Sequence, residues 1–152
     1  MKIKVLWVGK SRDAWIKEAV DEYAGRIRHY AQLELIDIRD EKGAEASEMR
    51  RLECERLEKQ VTPGATLVLL DETGEQMDSR AFAAFFGKQR DAGTAEMIFT
   101  VGGAYGFSEA FRSRGRLLSL SKMTFTHQMV RPFLLEQIYR AFTILNREHY
   151  HH

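Results

Sequence analysis

Apolar residues in this chain fall into short continuous runs, separated by longer stretches where they recur every three or four positions. The runs read as buried strands. The first covers residues 2–8 (KIKVLWV) and stops at Gly9; others follow at 33–38, 65–70 (ATLVLL), 97–101 and 117–120. The run at 65–70 is continuous enough to be buried on both faces, as parallel strands are. The stretches between read as helices. Asp13 can cap a helix over 14–30, with Trp15, Ala19, Tyr23 and Ile27 as its core face. Residues 40–60 are heavily charged around a narrow seam of Met49, Leu52, Leu57 and Val61, entered through a loop at Gly43 and ended by Thr62-Pro63-Gly64. Asp71-Glu72-Thr73-Gly74 reads as a turn. Asp78 or Ser79 then caps a helix over 80–90 with Phe82, Phe85 and Phe86 inward, and Gly93 closes it. Strands alternating with helices from end to end predict an α/β fold, a mainly parallel sheet flanked by helices, in one domain over 1–152.

The last helix is apolar over much of its circumference. Val130, Phe133, Leu134, Ile138, Ala141 and Leu145 make one face, and Leu135, Tyr139 and Phe142 widen it. Such a helix is buried on two sides, and in a chain this small the second side is read as meeting another subunit. Pro132 lacks a backbone donor, so regular helix is expected to start close to Arg131.

The stretch before that helix is where a ligand belongs. The strand at 97–101 breaks into a glycine turn (Gly102, Gly103, Gly106). The strand at 117–120 leads into the polar loop Ser121-Lys122-Met123-Thr124. Two strand ends and two loops meeting before one helix make a pocket at the carboxyl edge of a parallel sheet. A dinucleotide-binding loop is the first rival, and the pattern counts against it: the G-x-G-x-x-G spacing is absent, and no acidic residue stands at the required distance. The Gly9-Lys10-Ser11 that follows the first strand is not a phosphate loop either, because Lys4 occupies the place of the first glycine.

Charge sharpens this picture. The chain carries a net +1, but residues 1–103 hold 16 Lys/Arg against 19 Asp/Glu, and residues 104–152 hold 7 against 3. The positive excess lies on the pocket-bearing segment, where it could meet a phosphate backbone. The single cysteine, Cys54, allows no intramolecular disulfide and no cysteine-based metal site. The apolar core of the N-terminus is too short for export, and no run approaches a membrane span. A cytoplasmic protein with neither metal nor membrane partner is the expectation.

Four blocks in order, VGGAYGFS, LSLSKMTFTHQMVR, LLEQIYRAF and the terminal Tyr150-His151, resemble the ribosomal RNA large subunit methyltransferase H family, small SPOUT-class enzymes. The resemblance covers the whole chain in length and element order. It implies the SPOUT (α/β-knot) fold, with the C-terminal segment drawn through a loop as a trefoil knot, and a homodimer. It also implies S-adenosylmethionine as cofactor, held largely by backbone at Leu70, at Gly103 and along Ser121, Lys122, Met123, Thr124, Phe125 and Thr126. The implied activity is methylation of N3 of a pseudouridine in 23S ribosomal RNA, on the assembled ribosome. Two positions depart from the family pattern: Ala104 stands where proline is frequent, and Thr126 where proline or serine often precedes the histidine.

The chemistry needs a group that removes the N3 proton or stabilises the resulting anion. His127, beside the cofactor loop and titratable near neutrality, is the first candidate; the alternative is a histidine that only anchors the following helix. Arg131 and Arg140 could hold phosphate or the anionic base, although Glu136 and Arg140 are also spaced to pair along the helix. Tyr150 and His151 could be a frayed end, but the resemblance gives them a substrate role across the dimer. A ribosome-binding or assembly factor without activity, or a nicotinamide-dependent enzyme, are the readings of other classes.

Overall fold

The computed structural model describes residues 1–152. Five strands and five helices follow one another as β1 (Lys2–Val8), α1 (Ala14–Ile27), β2 (Gln32–Ile38), α2 (Ala46–Glu58), β3 (Thr66–Gln76), α3 (Ser79–Asp91), β4 (Glu96–Val101), α4 (Glu109–Arg112), β5 (Arg116–Ser119) and α5 (Val130–Leu145). The strands form one sheet in the order β2-β1-β4-β3-β5. Every pairing is parallel, so the sheet expected to be mainly parallel is wholly so.

Side chains alternate across the pleat and divide the core in two. Ile3, Val5 and Trp7 of β1, with Met97, Phe99 and Val101 of β4, face α1, α3 and α5. Leu6, Val8, Leu67, Leu69 and Ile98 face the other way, against Cys54 and Leu57 of α2, Phe111 of α4 and Phe107 just before it. The sheet is covered on both faces, which is why its strands read as continuous apolar runs.

Several elements differ from expectation. α1 buries Ile16, Val20, Ala24 and Ile27, while Trp15 is 56% exposed; the core face is shifted by one residue from that read through Trp15, Ala19 and Tyr23. Asp13 holds the N-cap position without bonding a backbone N–H, whereas the Asp78 carboxylate accepts from Ala81 as a cap should. β3 does not turn at Asp71. It runs on to Gln76, with an irregularity between Leu70 and Glu75, and pairs with β5 on both sides of it. Gly74 sits so close to β5 that a Cβ there would lie 2.6 Å from the Leu117 carbonyl carbon. The basic segment before β5 contains the short helix α4, which no periodicity announces.

α5 is buried on two sides, by α1 and α3 of its own chain. Leu134, Leu135, Ile138 and Ala141 are fully buried there, Phe142 stacks on Tyr30 at 5.5 Å, and Phe133 is left 44% exposed. The outward residue is thus Phe133 rather than a whole second face.

Candidate functional site

The carboxyl ends of β3, β4 and β5 open into a cavity of about 730 Å³, within the range of small-molecule sites. Leu70 closes one side, and Val101 to Gly106 form the next. Ser121, Met123, Thr124, Phe125, Thr126 and His127 complete the rim, with Leu118, Leu120 and Val130 as an apolar floor. Seven of the eight residues carried over for the cofactor line this one cavity. The eighth, Lys122, is exposed on the same loop but is not part of the lining.

The glycine turn is tight: Gly106 N–H donates to Gly103 C=O at 3.1 Å. Gly103 has no room for a side chain, because a Cβ would stand 2.9 Å from Glu53 Oε1 and 3.2 Å from Val8 Cγ1. A ligand on the open side can therefore approach bare backbone. Glu53 lies in the heavily charged stretch that forms α2. It is in fact only 5% exposed, and its carboxylate accepts the Glu41 N–H at 3.0 Å. Burial pushes its carboxyl above the usual range, and nearby Asp40 adds to the effect.

Two ties hold the β3 extension to the site. Arg112 pairs with Asp71 and donates to Thr73 Oγ1 at 3.1 Å, and Thr124 Oγ1 donates to Glu72 at 2.5 Å. Burial acts to raise the Asp71 carboxyl, but hydrogen bonds from Thr73 and the Arg112 guanidinium outweigh it and hold it below its ordinary value. Asp71, Thr73 and Arg112 all line the cavity; sequence reads the first two as a turn and Arg112 only as one of the segment's cations. The only sequence signal was polar residues directly after an apolar strand, which a turn explains equally well.

Thr126 accounts for its own departure from pattern: its hydroxyl accepts the Met129 N–H at 3.2 Å and its carbonyl the Val130 N–H at 3.2 Å, so it caps the turn into α5. His127 follows it, half-buried on the cavity wall. Burial first, then the charges of Arg131 and Arg12, lower its pKa, against a smaller opposing influence of Asp40.

Arg131 is fully buried and does not reach the cavity. Its guanidinium donates to Val8 C=O at 2.8 Å, Gly9 C=O at 3.0 Å, Ser11 Oγ at 3.3 Å and His127 C=O at 3.3 Å, over the ring of Trp7. Burial pulls its pKa down to about 10. Tyr150 and His151 also lie outside the cavity. Tyr150 O–H donates to Glu136 at 3.0 Å, Arg140 pairs with the same carboxylate, and His151 Nδ1 is 3.2 Å from Arg140. The C-terminus is thus folded back onto α5 rather than frayed.

The positive excess of the C-terminal third is largely compensated in the fold. Arg112, Arg114, Arg116 and Arg140 pair with Asp71, Glu58, Glu75 and Glu136 respectively. With Arg131 buried, only Lys122 and Arg147 of that segment lack a partner. A broad basic patch on this segment is therefore not formed.

Residues 1–151 match a family model described as "Predicted SPOUT methyltransferase". The chain is 72% identical over its full length, and the full length of the relative, to the ribosomal RNA large subunit methyltransferase H of Pelobacter propionicus. It is 61% identical, again over all of both chains, to the protein of that name from Trichlorobacter lovleyi. Among solved structures it is similar in fold to a probable methylase family protein from Haemophilus influenzae Rd KW20. That match has a TM-score of 0.51 at 13% identity and covers 95% of this chain and 66% of that one.

Proposed function

The chain belongs to the SPOUT methyltransferase family, among the ribosomal RNA large subunit methyltransferases H, and from that premise we propose that it methylates N3 of a pseudouridine in 23S ribosomal RNA. The observation that carries the reading is the single cavity that gathers Leu70, Gly103 and the loop 121–127 at the carboxyl edge of the sheet. Its residues fit S-adenosylmethionine. The apolar floor suits the adenine ring, and the bare backbone at Gly103 can approach the ligand closely. When bound, the cofactor supplies an electrophilic methyl group on a sulfonium.

The chain's own part is mostly positioning, since methyl transfer is an in-line displacement. His127 faces the cavity in the form that can accept a proton, and it takes the one that N3 loses as the new nitrogen–carbon bond forms. Arg131 acts through others: it ties the His127 carbonyl to the end of β1 and so fixes where the imidazole stands. The cluster of Glu136, Arg140, Tyr150 and His151 is already ordered by its own hydrogen bonds, and in a homodimer it serves the partner's cavity.

The dimer forms through α5 and its adjoining loop. Phe133 and Phe125, rings 5.5 Å apart and both exposed, edge a second hollow of about 370 Å³ that is lined by Met77, Phe82 and Leu118. No helix is long and apolar enough to cross a membrane, and the protein acts on ribosomes in the cytoplasm. The C-terminal trefoil knot belongs to the same reading. The test is mass spectrometry of 23S ribosomal RNA from a strain lacking the gene. Loss of one methyl group, restored by complementation, is expected, and an unchanged modification pattern overturns the assignment.

A further inference from the structure

We propose that the loop Lys10-Ser11-Arg12, between β1 and α1, grips the phosphate backbone of the substrate RNA beside the methyl-transfer cavity; the proposal rests on the function argued above. Phosphate contacts need cations that are not already neutralised. The C-terminal segment, where the sequence concentrates positive charge, offers few. Lys10 and Arg12, on the acidic N-terminal side, are both exposed and form no ion pair within 4 Å.

Their position relative to the chemistry is fixed. Gln128, next to His127, grips the loop from both directions: its Oε1 accepts the Arg12 N–H at 3.1 Å and its Nε2 donates to Lys10 C=O at 3.0 Å. Arg131 holds the same loop at Gly9 C=O and Ser11 Oγ while also donating to His127 C=O. Gly9 turns the chain into the loop with φ +83°. Arg12 lies near enough to depress the His127 imidazole electrostatically. The loop is therefore a rigid mount that carries two free cations past the proposed proton acceptor.

A nucleotide whose base enters the cavity carries its phosphates one ribose away. The loop leaves the carboxyl end of β1, next to the end of β4 that walls the cavity, and so stands within reach of them. Lys122, exposed in the loop after β5, and Lys42, exposed in the loop after β2, also follow carboxyl ends of strands of this sheet. Asp13 directly follows the loop and Asp40 stands beside Gly9, so the net charge of the grip is modest. It aligns a substrate chiefly held elsewhere.

The test uses the full-length protein with Lys10→Glu and Arg12→Glu, singly and together. Lys88→Glu, in the last turn of α3 ahead of the start of β4, is the charge-matched control. Cofactor affinity is measured by calorimetric titration, and ribosome binding and methyl transfer across a salt series. The expected result is unchanged cofactor affinity and thermal stability with weakened ribosome binding, the slope of log affinity against log salt flattening by about one per cation removed. Lys88→Glu should match wild type. If the loop variants destabilise the fold, Lys10→Gln and Arg12→Gln read the same slope with less perturbation. Wild-type salt dependence in the double variant overturns the proposal. A parallel loss of cofactor affinity also overturns it, because the cations would then serve the cofactor's carboxylate. A wild-type protein that modifies no ribosomal RNA would instead remove the underlying function.

Discussion

His127 owes its proposed role to its surroundings. Burial disfavours the imidazolium, and the cationic Arg131 and Arg12 disfavour it further, so its pKa lies below the ordinary 6.5. The neutral ring is then the dominant form at physiological pH and is ready to take a proton. Activity should stay flat through neutrality and fall only as pH drops below that ordinary value. Replacing His127 with Ala should lower kcat by about 10²–10⁴-fold with little change in cofactor affinity. A single-turnover pH profile checks this: a limb at or above the ordinary histidine value, or full activity in His127→Ala, excludes it as the acceptor. Sequence points to His127 through its place beside the loop that the family resemblance assigns to the cofactor and its titration near neutrality. The place of Arg131 was not legible in it. A charged residue on an apolar helix reads as an anion holder, and nothing local says that the carbonyls at the end of β1 will surround it. Glu53 was hidden in the same way, one carboxylate among many until the fold set it behind Gly103.

Elements were easier to find than their faces. All five strands and the four long helices follow from apolar runs and their spacing, but α1 offered two stripes one residue apart, and the sheet selected the aliphatic one, leaving Trp15 outside. The β3 extension escaped because its polar residues satisfy one another and Arg112 rather than a turn. In α5 the two neighbouring residues Phe133 and Leu134 have opposite surroundings, so substitutions separate folding from assembly. Leu134 is fully buried between helices, and Leu134→Glu places an unpartnered charge in the core, a cost large enough to unfold a domain of this size. Phe133→Glu leaves that core intact and should yield a folded monomer with weak or no activity. Sedimentation with circular dichroism checks both. A folded Leu134→Glu protein, or a Phe133→Glu dimer, contradicts the packing described.

At the scale of the molecule, charge decides how the substrate is recognised. The segment that carries the positive excess spends four of its seven cations on the protein's own carboxylates and buries a fifth, Arg131. Counting charges along the sequence overstated the positive face, because pairing such as Arg114 with Glu58 joins residues 56 positions apart. With so few free cations on the segment that bears the cavity, affinity for naked RNA should be weak and salt-sensitive. Discrimination must then come from the shape of a larger target in which the reactive base is already splayed out, its N3 edge open to the cavity. The protein is therefore expected to methylate intact ribosomes efficiently and the isolated stem-loop poorly, with activity falling as salt rises. The comparison is initial rates on ribosomes and on a short hairpin at matched concentration and near-physiological salt. Comparable turnover of the two would mean that the cavity and its rim suffice for recognition, and that the ribosome contributes no more than a place where the base is found.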